Sequence, residues 1–332
     1  MTIEGAHRVA IPANEESPSV LVTIADELRP IVVVGAHSQS LFMHVADIPR
    51  EGETVAAHGY AETLDGGKAT NQAAAAARVG APVRFVSLVG NDVRGRRILD
   101  YLDTQGIDRR WVKIADAPTD VGFVMLSPRG IPAIASSLDL SRRLDAGFVE
   151  AAEVAIRGAS IVVCQLEAPP ACAREAFQFA RANRILTLLN PAPMVPLPEG
   201  LLELADVLVP NQHEAAVLVG REAPVAELTE RLANAAPWAC VVVTAGADGA
   251  YLGRAGRRSE HVSAPNVRAV DTTGAGDAFV GALAARLRDG CDIEPAVAFA
   301  VRAAALSVTR PGTLDAFATL DEIMALPSAQ PM

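Results

Sequence analysis

The sequence predicts an α/β protein: a central, mostly parallel sheet flanked by helices on both faces, with a small β-sheet lid added. Three observations predict it. Short, unbroken apolar runs such as Ile31-Val32-Val33-Val34 and the stretches at 83–89, 161–166 and 240–243 read as strands buried on both faces. Alanine-rich, helix-period stretches separate most of them. Between 111 and 135 strand-like segments follow one another without a helix, which marks a separate small sheet.

Residues 1–29 carry Pro12, Asn14, Glu15, Glu16, Ser17 and Pro18, which break any periodicity, and read as a loosely ordered extension. The first strand, at 31–34, leads into Gly35-Ala36-His37-Ser38-Gln39-Ser40. That is not the G-x-G-x-x-G of a nicotinamide-binding turn, so a dehydrogenase is disfavoured. Residues 41–64 hold Pro49, Gly52 and Gly59 and fit a hairpin-like excursion. Asp65-Gly66-Gly67-Lys68-Ala69-Thr70-Asn71-Gln72 then opens a helix that runs to Arg78; it does not fit a Walker A loop. A strand at 83–89 and a helix from Asp92 to about Asp103 follow. The segments 111–115, 121–126 and 131–135, with a turn at Pro128-Arg129-Gly130, make the flap. Further strands are expected at 161–166, 185–189, 207–209 and 240–243, with a helix from about Pro170 to Asn183. Tyr251-Leu252 and 267–270 continue in β form, and two or three helices close the chain.

Composition narrows the function. The net charge is −10 with no basic run, which argues against nucleic acid and anionic membranes as partners. No apolar run approaches the roughly twenty residues of a membrane span. The apolar stretch at 20–25 is too short for a signal peptide, so a cytoplasmic protein is expected. Cys164, Cys172, Cys240 and Cys291 form no C-x-x-C pair and read as structural thiols. The six histidines show no zinc spacing.

The stretch from Val270 to Gly281 carries the chemistry. Gly274 and Gly276 let the backbone pass close to a ligand. The unpaired N–H groups of the helix that follows, with its dipole, suit a phosphate. Asp277 sets a carboxylate beside that anion site, where it can take a proton from an attacking hydroxyl. Arg286 and Arg288 in the last turn and Gly290 beyond it end the helix. Polar residues also recur where successive strands end: Ser38, Glu167, Asn190, Asn211 and Thr244. In a parallel sheet these ends share one edge, so they form one candidate site. Asn211 and Glu214, three apart, suit Mg²⁺ held through water. The same spacing suits a helix-capping pair, and the sequence leaves both open.

Taken together, these residues resemble the ribokinase-like (PfkB-type) carbohydrate kinase family, most closely its ribokinase branch, from about Ile31 to about Phe317. Gly66-Gly67-Lys68 with Asn71 resembles the first family signature, and Asp271-Thr-Thr-Gly-Ala-Gly-Asp277 the second. Glu51-Gly52-Glu53-Thr54, Gln165-Leu166-Glu167, Asn190-Pro-Ala-Pro193, Pro210-Asn211 with Glu214, and Thr309-Arg310-x-Gly312 match in order and spacing. The resemblance implies a kinase domain over 30–326, with a lid from about 37–66 and 110–137 that also makes a homodimer contact. It implies Asp277 as base and the Gly274, Ala275 and Gly276 amides as an anion hole. Ser38, Ser40, Gly67, Lys68, Asn71 and Glu167, with Asp277, would bind the sugar. Asn211, Thr244, Gly246, Asp248, Gly249, Gly276 and Val301 would bind ATP. Glu214 would organise Mg²⁺ through water. Asp271, Thr273, Ser307, Arg310, Gly312 and Ala316 would build a K⁺ site, largely from backbone carbonyls. Three departures touch only the sugar end. Ser38 and Ser40 replace the family's Asn-x-Asp, Ala69-Thr70 replaces Gly-Ala, and a Gly-Ala-Asn is absent near Ser136-Ser137-Leu138. The acceptor is therefore open: ribose, deoxyribose, another sugar, a polyol or a nucleoside. A non-catalytic sugar or nucleotide sensor is the rival reading.

Overall fold

The computed structural model describes residues 29–64, 66–127, 132–235 and 240–326. The expected extension, apart from Arg29, and the turn at 128–131 lie outside the described residues. The strands are β1 (Ile31–Val34), β2 (Gln39–Val45), β3 (Ala57–Thr63), β4 (Val83–Gly90), β5 (Val112–Ala115), β6 (Val121–Leu126), β7 (Pro132–Ser136), β8 (Ile161–Cys164), β9 (Leu186–Leu189), β10 (Val207–Leu208), β11 (Cys240–Thr244), β12 (Ala250–Gly253) and β13 (Glu260–Val262). The α-helices are α1 (Lys68–Arg78), α2 (Val93–Thr104), α3 (Ala146–Ala151), α4 (Glu153–Arg157), α5 (Pro170–Ala182), α6 (Gln212–Val219), α7 (Val225–Ala235), α8 (Ala275–Arg288), α9 (Ile293–Ser307) and α10 (Leu320–Ala325).

Nine strands form the main sheet in the order β13-β12-β11-β10-β9-β8-β1-β4-β5. The run from β11 to β5 is parallel, and β12 and β13 add antiparallel at one edge. All four residues of β1 are buried, and they divide between two cores. Ile31 and Val33 pack with α1, α8 and α9, and Val32 and Val34 with α3, α4 and α5. A strand covered on both faces has no face left for polar residues, which is why its sequence is an unbroken apolar run. After β1 the chain goes to β4 on one side, and later to β8 on the other. The connections leaving the C-terminal ends of these neighbours diverge, and that opens a crevice.

The second sheet has four strands in the order β3-β2-β6-β7. Its expected membership needs one correction. The segment at 111–115 does not join it: β5 pairs in parallel with β4 and extends the main sheet. The half-buried alternation that suggested a flap also describes a sheet edge, so periodicity cannot tell the two apart. A second correction concerns 267–270, which is not a strand; β13 lies earlier, at Glu260–Val262. Val267 and Ala269 wall a cavity instead.

The small sheet is tied to the body at two points. Asp120, just before β6, accepts hydrogen bonds from the Leu140 and Ser141 amides and from the Ser137 and Ser141 hydroxyls. Glu62 on β3 pairs with Arg94 (3.2 Å) and Arg97 (3.1 Å) of α2. Among the described residues, no helix is long and apolar enough to cross a membrane.

Candidate active site

The site forms where α1 and α8 begin side by side at the C-terminal ends of the strands. Gly274, the N-cap of α8, has φ +77°. A Cβ there would lie 2.2 Å from Thr313 Cγ2, so only glycine fits. Of the expected anion-hole amides, Ala275 N–H donates to Thr272 O at 3.3 Å. The Gly274, Gly276 and Asp277 N–H groups find no acceptor among the described residues, as helix N-termini dictate. Gly66 and Gly67 let the start of α1 nest against the β1–β2 connection. A Cβ on Gly66 would lie 2.1 Å from Ser38 O, and one on Gly67 2.8 Å from Ala36 O.

Asp277 is 5% exposed. Asn71 Nδ2 donates to its Oδ2 at 2.9 Å and Gln72 Nε2 to its Oδ1 at 3.0 Å. The Asp277 carboxylate is the main reason that the Lys68 ammonium is held above the usual lysine value. Glu167 and Glu214 add to this, against the opposing effect of burial. The Lys68 backbone N–H donates to Glu167 Oε2 at 2.6 Å. Burial raises the Glu167 carboxyl to about 7, although Lys68 acts to lower it. Burial likewise raises Glu214. The Asn211–Glu214 pair is a capping box. Asn211 Oδ1 accepts from Glu214 N, and Glu214 Oε2 accepts from Asn211 N, each at 2.8 Å. Glu214 Oε1 is left without a partner among the described residues, in the same small cavity as Asp277. The capping role and an ion-holding role are therefore compatible.

A stability consequence follows for Glu167. Its carboxyl ionises near 4.5 in the unfolded chain and near 7 in the fold. Between those values the folded state holds the extra proton, so stability falls as pH rises from about 4.5 through about 7. Glu167→Gln lacks this cost. The melting temperature of the variant should gain on wild type from pH 5 to pH 8 in thermal unfolding; a pH-independent difference would remove the assignment.

Two cavities meet at the first turn of α8. The larger, about 490 Å³, is mostly apolar and is lined by Val267, Phe279, Val301, Ala304 and Val308, with Thr244, Gly246, Gly249 and Gly276. The smaller, about 60 Å³, is mixed: Lys68, Asn190, Asn211, Glu214, Thr244 and Asp277 line it together with Gly276, Ala192, Val209 and Val280. Thr244 and Gly276 belong to both. Val301, Gly246, Gly249 and Gly276 all line the larger cavity. Asp248 lines neither cavity; it is exposed and takes a hydrogen bond from Tyr251 (2.7 Å). Ser38 and Ser40 line neither cavity. In the small sheet Ser40 pairs with Thr63 and Gly122, and Ser40 O accepts from Thr63 Oγ1 at 3.4 Å.

The expected cation residues are also near one another. Asp271 Oδ1 accepts from Thr273 N (2.9 Å) and Oδ2 from Gly312 N (3.0 Å), which joins two turns. Ser307 O accepts from Arg310 N (3.3 Å), and Arg310 is paired with Glu322. Ala316 is buried, its N–H on Thr313 O. Among the described residues no cluster of three or more His, Cys, Asp or Glu could hold a metal, so any ion here relies on carbonyls, water or single carboxylates. Sequence reasoning missed Gln72 and Gln165 as site residues, and it missed the cavity wall at 264–269. Gln72 was visible beside Asn71, but neighbours on a helix point about 100° apart, and only the approach of α8 brings both onto one carboxylate.

Comparison with known proteins shows the family. The model of the pfkB family carbohydrate kinases matches residues 29–319. Ribokinase of Schizosaccharomyces pombe is 34% identical over 307 residues, covering 88% of this chain and 96% of the relative. Deoxyribokinase of Salmonella typhimurium is 30% identical, covering 88% of this chain and 96% of the relative. The structure of Arabidopsis thaliana ribokinase complexed with ribose and ATP superposes with a TM-score of 0.83 at 29% identity, covering 89% of this chain and 97% of that one. The chain belongs to the pfkB family of carbohydrate kinases.

Proposed function

We propose that the chain transfers the γ-phosphoryl group of ATP to a hydroxyl of a small sugar, with Asp277 as the base. One observation carries the reading. A buried carboxylate and the start of a helix with unpaired amides line a cavity of about 60 Å³ that adjoins a mostly apolar one of about 490 Å³, Thr244 and Gly276 lining both. The apolar cavity suits a nucleobase and ribose, with Val301 and Gly249 at its wall. The smaller cavity suits the phosphates and the attacking hydroxyl. Asp277 takes the hydroxyl proton as the oxygen bonds to the γ-phosphorus and the β–γ bridging bond breaks. The Gly276 and Asp277 N–H groups, with Lys68, offset the charge on the moving group. Asn71, Lys68, Gly67 and Glu167 would hold the sugar beside Asp277, and Asn211 and Thr244 the phosphates.

Two ions fit the residues present. The free oxygen of Glu214 would hold Mg²⁺ through water, and when bound the metal neutralises phosphate charge. The joined turns at Asp271–Thr273 and Arg310–Gly312, with Ser307 and Ala316, would hold K⁺ through carbonyls. The small sheet would act as lid, excluding water that competes as acceptor. Its exposed Tyr60, Phe123 and Ile134 support a homodimer built through that sheet. The enzyme would work in the cytoplasm.

The test is ADP release with Mg-ATP and K⁺ across pentoses, deoxyribose, hexoses, ketoses, polyols and nucleosides. One acceptor well above the rest would support the kinase and name its substrate class. Normal ATP binding with no turnover on any acceptor would favour a sensor. Neutral serines at 38 and 40 make weaker hydrogen bonds than the carboxylate that ribokinases place at the second position. Ser40→Asp should therefore raise kcat/KM for ribose about tenfold relative to deoxyribose. An unchanged ratio would show that Ser40 does not set acceptor choice.

A further inference from the structure

Behind Asp277 lies a chain of buried amides that the transfer reaction does not use directly. Gln165, at the end of β8, donates through Nε2 to Gln72 Oε1. Gln72 Nε2 donates to Asp277 Oδ1 and to Asn190 Oδ1, each at 3.0 Å. Asn190 Nδ2 donates to Val209 O at 2.8 Å. The chain crosses the ends of three neighbouring strands and reaches both α1 and α8. Gln72 is 1% exposed and Gln165 3%.

The polarity of this chain is forced. Val209 O is a backbone carbonyl and can only accept, so Asn190 must turn its NH₂ toward it. That leaves Asn190 Oδ1 facing Gln72, which must then present its own NH₂. Gln72 Oε1 is in turn left for the NH₂ of Gln165. The far end shows the strain of this order. Gln165 Oε1 is buried with no partner among the described residues, and so is Asn71 Oδ1. An unpaired buried acceptor costs about 1–3 kcal/mol. Rotating either amide to relieve it would turn oxygen against oxygen: Gln165 against Gln72 Oε1, Asn71 against the Asp277 carboxylate. Both amides therefore face Asp277, or the group that holds it, with N–H and not with oxygen.

We propose that Gln72 is a positioning residue. The Val209–Asn190–Gln72–Gln165 relay presents only N–H to Asp277 Oδ1, fixing the carboxylate in orientation and keeping it a proton acceptor. Hydrogen bonds to the ionised form of a carboxylate favour that form. The other charged groups around Asp277 are Lys68 on α1, of opposite charge, and Glu167 and Glu214, of like charge. The relay adds a neutral donor at Asp277 Oδ1. The inference rests on the reading of Asp277 as base.

The test is the pH dependence of kcat for Gln72→Met, which keeps volume and removes the donor. The assay uses Mg-ATP with D-ribose, or 2-deoxy-D-ribose if that turns over faster. The expected result is a 10–100-fold lower kcat, KM values for ATP and sugar within about threefold of wild type, and an acidic limb moved up by about one pH unit. Gln165→Met, which touches Asp277 only through Gln72, should move the limb the same way by less. It serves as the readout if Gln72→Met fails to fold. A limb that stays at the wild-type position in the folded variant overturns the relay, because a merely structural amide would lower only the folded fraction. Asp277→Asn run in parallel separates the two ideas. If it keeps turnover, the base assignment fails; if it loses turnover while the relay variants keep the wild-type limb, only the relay fails.

Discussion

Asp277→Asn is expected to lower kcat by about 10²–10⁴-fold, the range that a positioned general base supplies, while ATP binding by calorimetry stays near wild type. The side chain is isosteric, so the helix start and the amides around it should persist. The loss has a specific cause. The carboxylate now accepts from both Asn71 Nδ2 and Gln72 Nε2. An asparagine can turn its oxygen to one of them and must face the other with NH₂, so the variant loses the proton acceptor and gains one donor–donor contact. A modest drop in melting temperature should accompany the loss of turnover. Near-wild-type kcat in a folded Asp277→Asn protein would show that another group accepts the proton.

Gly274→Ala should damage the site through the backbone. Gly274 sits at φ +77°, where a residue with a side chain is strained, and its Cβ would lie 2.2 Å from Thr313 Cγ2. The two effects together should destabilise the protein by about 2–6 kcal/mol. Turnover should fall with stability, because the Gly276 and Asp277 amides move with the turn. Thr313→Ser removes the clashing methyl and leaves the hydroxyl. In the Gly274→Ala background it should restore about 1–3 kcal/mol, the overpacking share, and leave the φ share. Thermal or urea unfolding of the four proteins closes the cycle. No recovery in the double variant would mean that strain at φ accounts for the whole loss.

These two residues also show where the sequence is informative. The glycine turn at Gly274 and the acid at Asp277 in the first turn of α8 were legible because they lie in one short segment, and local chemistry leaves a local trace. The same holds for the apolar runs of β1 and β8, and for the Asn211–Glu214 capping box, whose residues are three apart. Segment 111–115 was misassigned because an edge strand of either sheet is half-buried in the same pattern. Residues 264–269 were unread as a cavity wall because a loop of Ala, Pro, Asn and Val has no period.

By itself the sequence determined the α/β class, the order of most strands and helices, the family resemblance, and the short motifs to which the proposed base and anion site are assigned. Each of these depends on residues within a few positions of one another, or on the burial pattern of one element. Tertiary structure decided which partners meet those motifs. It placed Gln72, 205 positions away in sequence, on Asp277 Oδ1, Thr313 against Gly274, and β5 on the main sheet instead of the small one. It also left Asp248, Ser38 and Ser40 outside the two cavities. Contacts of this kind depend on how whole elements pack, and an amide that points at a buried carboxylate is chosen by the groups around it in space, which spacing along the chain does not encode.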